Sequence, residues 1–266
     1  MPLNLLCIGD VVGSPGRRIL HDTLPDLVKQ RGVECVIVNA ENATDGAGLS
    51  AAMYEKIVQA GANLITLGDH VYRRKDIIPV LEKSDRMVRP ANLPSGAPGR
   101  ELAVYQTTGG PKVAVISLLG RMFMKPLTNC PFAAVDRVLE GLPPDLKIVV
   151  VDVHAEATSE KVAMGWHLDG RVSLVFGTHT HIPTADERIL PKGTAYITDV
   201  GMTGPYDSVL GRLKERVIGN MRTGVPSLFD VAEGDARLCG VLVTVEPPTG
   251  RATHIERISL PAASNL

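Results

Sequence analysis

Residues of types that ligate metals stand at the ends of apolar runs all along this chain. Asp10 follows Leu5 to Ile8, Glu41 and Asn42 follow Cys35 to Val38, and Asp69 and His70 follow Ile65 to Leu67. His154 comes after Ile148 to Val151, and His179 with His181 after Leu174 to Phe176. Carboxylates mixed with imidazoles suit manganese, iron or zinc, whereas an all-oxygen set would suit magnesium or calcium. Each piece alone has a plainer reading: a strand-end Asp can cap a helix, and Asp69-His70 can be a loop pair. His179-Thr180-His181 is more specific, because an H-x-H in extended chain sends both imidazoles to one side. The plainer readings would have to hold at all five places at once. His21, His167 and His254 lack such company and read as surface or half-buried residues.

Three other motifs compete. Gly9, Gly13 and Gly16 after a first strand resemble a dinucleotide fingerprint, with Glu41 where a ribose-binding acid would stand. The spacing is not G-x-G-x-x-G, however, and the histidines would be idle. His154-Ala155-Glu156 matches half of a zinc deaminase signature, but no P-C-x-x-C accompanies it. No G-x-S-x-G occurs, which leaves a serine hydrolase elbow unsupported.

The elements that must position these residues alternate short β-branched runs with helical stretches, an α/β pattern. Strands are expected at Leu3 to Ile8, Cys35 to Val38, Leu64 to Leu67, Lys147 to Val151, Val172 to Phe176 and Thr194 to Ile197. Val104 to Gln106 and Val113 to Ser117 suggest a hairpin around Gly109-Gly110. Helices are expected at Pro15 to Gln30, capped by Ser14, at Ala51 to Ala60, Lys75 to Glu82, about Ser159 to Leu168, and Val209 to Met221. Ser227 to Ala232, Leu238 to Val245 and Thr253 to Leu260 look like an antiparallel meander. In such a fold the carboxyl ends of the strands are where ligands bind, so the strand-end residues converge on one cleft. No repeat or convincing linker appears; the Pro94 to Arg100 stretch is an ordinary loop, and residues 1–266 read as a single domain.

Composition narrows the partners. The formal net charge is -1, so no global field draws the chain to nucleic acid or an acidic membrane, and aromatic residues are only 4 %, too few to argue a base-stacking platform. Stable nucleic-acid binding is therefore not expected, while a homo-oligomer is left open. Cys7, Cys35, Cys130 and Cys239 form no C-x-x-C pair, and the first two sit in apolar runs as small hydrophobes. No apolar run approaches membrane-spanning length and no signal peptide is evident, so a soluble cytoplasmic protein is expected.

The order Gly9-Asp10, Asn39-Ala40-Glu41-Asn42, Gly68-Asp69-His70, His154 and Gly177-Thr178-His179-Thr180-His181 resembles the calcineurin-like metallophosphoesterases. More narrowly, the strings GDVVGSPGR from Gly9, RPAN from Arg89, HAEATSEK from His154 and ILPKGTAYITDVGMTGPY from Ile189 resemble the YmdB-like bacterial phosphodiesterases, over nearly the whole chain. The resemblance implies a metallophosphatase-like sandwich of two mixed β-sheets flanked by helices. It implies a dinuclear centre of iron or manganese and hydrolysis of phosphodiesters such as 2′,3′-cyclic nucleotides by a metal-bridging hydroxide. Carried over by position, Asp10 and His181 would bind one metal, Asp69, His154 and His179 the other, and Glu41 would bridge. Asn42 would contact the phosphate or bridging solvent, and His70 would protonate the leaving alkoxide.

Two positions depart from the pattern. Val12 stands where the wider superfamily has a histidine, and Asp69 where the family usually has asparagine. An ionised Asp69, with Asp10, Glu41 and a hydroxide, would cancel the whole charge of two divalent ions, where asparagine would leave a positive unit for an arriving phosphate. A higher-valence metal, or an Asp69 that is protonated or held off the metal, would restore that charge. Glu156 reads either as a partner that orients His154 or as an acid at a helix start. Thr198 to Tyr206 reads as a wall of the cleft or as a structural turn. The competing reading of the whole chain is a metal-containing regulatory protein that works mainly by binding a partner or RNA.

Overall fold

In a computed structural model, residues 1–125 and 127–262 are described. The chain begins with β1 (Leu3–Ile8), β2 (Asp10–Val11) and α1 (Gly13–Arg31), then β3 (Val33–Asn39), α2 (Ala51–Gln59) and β4 (Leu64–Thr66). A single 3₁₀ turn leads into α3 (Ile78–Lys83), followed by β5 (Met87–Val88), β6 (Leu102–Gln106), β7 (Lys112–Leu119) and α4 (Pro131–Glu140). Next come β8 (Ile148–His154), α5 (Thr158–Leu168), β9 (Leu174–Thr178), β10 (Arg188–Ile189), β11 (Ala195–Ile197) and β12 (Met202–Pro205). The last elements are α6 (Lys214–Thr223), β13 (Ala236–Val245) and β14 (Ala252–Pro261).

The expected sandwich of two mixed sheets is present. One sheet runs β2-β12-β13-β1-β3-β4-β5, with β14 along the far edge of β13, and the other runs β10-β11-β9-β8-β7-β6. Within them β1, β3, β4 and β5 are parallel neighbours, as are β7, β8, β9 and β11. The period-two alternation of each strand explains the layering. Val113, Val115, Ile148 and Val150 face the other sheet's Leu5, Cys7, Cys35 and Ile37 across a shared core. Their neighbours Ala114, Ile116, Val149 and Val151 pack instead against Ala134, Val135 and Val138 of α4 and Met164 and Leu168 of α5. Ile19, Leu20, Leu24 and Leu27 of α1 cover the first sheet's outer face. Strands apolar on both faces read as unbroken apolar runs, which is why these were visible in the sequence.

Several expectations are corrected. Val12, not Ser14, occupies the N-cap of α1 and makes no side-chain cap; Ser14 lies inside the helix, where its hydroxyl accepts from Arg18. No helix begins at Val209: Leu210 and Gly211 have positive φ (51° and 89°), and Val209 pairs with Arg212 in a tight turn, so α6 starts only at Lys214. Ser227 to Ala232 contributes an isolated bridge from Val231 to Arg212 rather than a strand. The segment around Met202, read as a turn, forms β12 beside β2 and β13. The Arg89 to Asn92 string is a stitch between the sheets. Asn92 accepts from the Leu119 N–H and donates to its carbonyl, and the buried Arg89 guanidinium reaches the Pro90 and Ala97 carbonyls and Glu101.

Candidate metal centre

The parallel strands of both sheets end at one rim, and the ligand-type residues meet there. His154 is the last residue of β8, and its Nε2 lies 3.2 Å from Glu41 Oε1, 3.1 Å from Asp69 Oδ1 and 3.0 Å from His179 Nδ1. Glu41, Asp69, His154 and His179 each offer an atom within 4.8 Å of the others'. Gly68 makes room for them: a Cβ there would stand 2.3 Å from His154 Cδ2 and 2.4 Å from Glu41 Oε2.

Asp10 and His181 lie beside this group rather than in it. Asp10 is wholly buried; its Oδ1 is 3.8 Å from His181 Nε2, and its Oδ2 accepts from the His179 N–H at 3.1 Å. The Asn42 Nδ2 stands between these parts, 3.4 Å from Asp10 Oδ1, 3.2 Å from Glu41 Oε1 and 3.3 Å from His181 Nε2. Its carbonyl oxygen therefore faces outward, where it accepts from His70 Nδ1 at 2.8 Å. The His70 backbone N–H donates to Glu41 Oε2 at 3.1 Å, and its ring is 37 % exposed at the mouth. Val12 is buried at the head of α1 and offers no ligand atom.

A model of the family described as "YmdB-like protein" matches residues 6–258. The chain belongs to the YmdB-like family. A relative from Bacillus subtilis named 2′,3′-cyclic-nucleotide 2′-phosphodiesterase is 46 % identical over 256 residues, 96 % of either chain. Among solved structures, a hypothetical protein of Thermus thermophilus is 42 % identical with a TM-score of 0.91, covering 97 % of this chain and 99 % of its own. A protein of Mycoplasma pneumoniae described as a novel phosphatase is 38 % identical with a TM-score of 0.92, covering 98 % and 94 %.

In this member of the family, partners distant in sequence orient the imidazoles. The Thr178 hydroxyl donates to Asp152 Oδ1 at 2.6 Å, so its oxygen is left to accept from His154 Nδ1–H at 2.9 Å. That bond leaves Nε2 as the atom turned to Glu41 and Asp69. Asp152 is itself held from the opposite sheet by Asn39, whose Nδ2 donates at 3.0 Å, and by the Thr66 hydroxyl. Burial pushes Asp152 up to about 6, against the pull of His154 and these three donors. His181 Nδ1–H donates to the Leu210 carbonyl at 3.1 Å, which turns Nε2 toward Asp10. Glu156 approaches His179, at 3.2 Å from its Nε2, and so does not orient His154.

Asp10, Glu41 and Asp69 share this rim with four imidazoles, those of His70, His154, His179 and His181, and their ionisation reflects it. Burial opposes charge on Asp69, but the hydrogen bond from His154 and the nearby His70 and His179 rings hold it well below the usual carboxylate range. Its Oδ1 lies inside the group, 3.1 Å from His154 Nε2 and 3.7 Å from His179 Nδ1. Burial also opposes a charged His154, yet Glu41, Asp69 and Asp10 raise it well above its ordinary value. Burial and the His154 neighbour push His179 down to about 4. The set thus gathers carboxylate charge and imidazole nitrogens around one point, where a metal would take the place of the proton that His154 Nε2 shares with Asp69 and Glu41. The donor chemistry fits a divalent metal there.

Because Thr178 decides which nitrogen of His154 faces inward, Thr178→Val should weaken metal binding about 10–100-fold. A titration of the metal-free protein checks this; wild-type affinity would show that the ring keeps its direction without the hydroxyl.

Proposed function

We propose that this chain cleaves the 2′ bond of 2′,3′-cyclic nucleotides, using two metal ions, iron or manganese, held by Asp10, Glu41, Asp69, His154, His179 and His181. Membership of the family, with a curated relative named as a phosphodiesterase, supports the reaction class. The observation that carries the reading is the convergence of Glu41, Asp69, His154 and His179 within 4.8 Å.

Asp69, His154 and His179 would hold one ion, Asp10 and His181 the other. Glu41 suits the bridge because the same oxygen lies 3.2 Å from His154 Nε2 and 3.2 Å from the Asn42 amide that abuts Asp10 and His181. Bound divalent ions supply Lewis-acid charge at the phosphoryl oxygens and lower the pKa of water. Asn42, at the inner wall of the mouth, would contact the phosphate. His70 donates Nδ1–H to Asn42, which leaves Nε2 to carry a proton to the departing 2′-oxygen. That proton turns an alkoxide into a neutral hydroxyl and leaves the phosphate on the 3′-oxygen.

We place the chain in the cytoplasm. Among the described residues no helix is long and apolar enough to cross a membrane. The free thiols of Cys7 and Cys35, buried in the inter-sheet core, suit a reducing compartment. We treat residues 1–266 as one domain, since β13 and β14 near the chain's end complete the sheet that β1 begins.

The test is an assay of the purified protein with Mn²⁺ or Fe²⁺ on 2′,3′-cyclic AMP and a bis-aryl phosphodiester. Metal-dependent formation of the nucleoside 3′-monophosphate is expected. Absence of turnover with either metal would instead favour a protein that acts by binding.

A further inference from the structure

The H-x-H segment is not extended: β9 ends at Thr178, and His179 and His181 both adopt positive φ, 95° and 64°. Non-glycine residues avoid that region, so the surroundings must hold the turn in place. What holds it is the segment from Asp199 to Met202. The Val200 N–H donates to the Gly177 carbonyl at 3.0 Å, and the Met202 N–H to the His181 carbonyl at 3.2 Å. Between them, the Thr180 hydroxyl donates to Asp199 Oδ2 at 2.8 Å and the Thr180 N–H at 3.3 Å. Lys161 of α5 donates to the same oxygen at 2.7 Å, and both members of that ion pair are at most 2 % exposed. The other oxygen, Oδ1, accepts from the Gly201 N–H at 2.8 Å. Gly177 lets the Thr198 carbonyl and the lysine approach together: a Cβ there would stand 1.8 Å from that oxygen and 2.9 Å from Lys161 Cδ.

We infer that Lys161 and Asp199 are positioning residues: their buried ion pair, acting through Thr180, sets the direction of the His179 and His181 imidazoles. A buried ion pair is weak evidence for stability, because desolvation of two charges consumes most of their attraction. Its geometric effect is definite here. Asp199 receives the middle residue of the turn while Lys161 holds the same carboxylate oxygen from α5. Neither side chain is one of the six proposed ligands, although the Asp199 charge is felt at Asp10. The inference rests on the metal-centre reading, since its consequence is how well two of the proposed ligands are aimed.

The experiment compares Thr180→Val, Thr180→Ser and Lys161→Met with the wild type, titrating metal-free protein with Mn²⁺ and recording the metal-free Tm alongside. Thr180→Val should bind Mn²⁺ about tenfold more weakly at an unchanged Tm, and Thr180→Ser should restore the affinity. Lys161→Met should weaken binding and lower the Tm as well. If Lys161→Met does not fold, the Thr180 pair decides. Folded Thr180→Val with wild-type affinity would overturn the inference, whereas a wild type that binds no Mn²⁺ would overturn the metal-centre reading beneath it.

Discussion

Glu41→Gln is expected to empty the centre of metal, and with it to abolish metal-dependent turnover. The side chain is 1 % exposed, accepts from the His70 N–H and the Asn42 amide, and lies 3.2 Å from His154 Nε2. Glutamine has the same shape but carries no charge, and one ligand oxygen becomes an N–H group that must point at existing donors. Changes one layer outside a metal typically lower affinity about 10–100-fold, and loss of a ligand between two ions should exceed that. Stability should fall as well. His154 and His70 hold the Glu41 carboxylate ionised against its burial and the nearby Asp69 charge, so the metal-free variant should melt lower than metal-free wild type. Metal analysis, activity and paired melting curves check this. Unchanged metal content would contradict the bridging role.

His70→Ala should behave differently, keeping metal while losing about 10²–10⁴-fold in turnover of substrates with an alkyl leaving group. The ring stands at the mouth, its Nδ1 committed to Asn42 and its Nε2 turned past Asp69, 4.0 Å from Oδ2. An aryl oxygen leaves without a proton far more readily than a ribose hydroxyl does. The bis-aryl substrate should therefore lose much less than the cyclic nucleotide, and that difference separates an acid from a general disturbance of the site. Equal losses on both substrates would remove the acid assignment.

The strand-end placement of Asp10, Glu41, Asp69, His154 and His179 was legible because a buried parallel strand writes itself as an apolar run, and ligands gather where such runs stop. The helix α4 was equally legible and was missed: Pro131, Ala134, Val135 and Val138 show the spacing of one buried helical face, with proline in the first turn. For the H-x-H pair the expected extended geometry was wrong, although both rings lie at the rim, His179 within the group and His181 beside Asp10. Alternation in an extended strand would aim both rings together, yet they reach the rim through a turn with positive φ at each histidine. The expected helix at Val209 hid the Leu210 carbonyl that orients His181.

By itself, then, the sequence determined the α/β class and the candidate ligands, since periodicity and strand-end position are properties of neighbouring residues, and its motif strings carried the family resemblance that implied the two-sheet sandwich. Tertiary structure alone decided how those ligands are aimed. Asp152 is reached by Asn39 and Thr66 from the other sheet, and Lys161 finds Asp199 across 38 positions of chain. Such contacts depend on how two sheets stack and register, which no local pattern records. The sheets bring the candidate ligands to one rim; the Thr178 hydroxyl and the Leu210 carbonyl choose the nitrogens that His154 and His181 present.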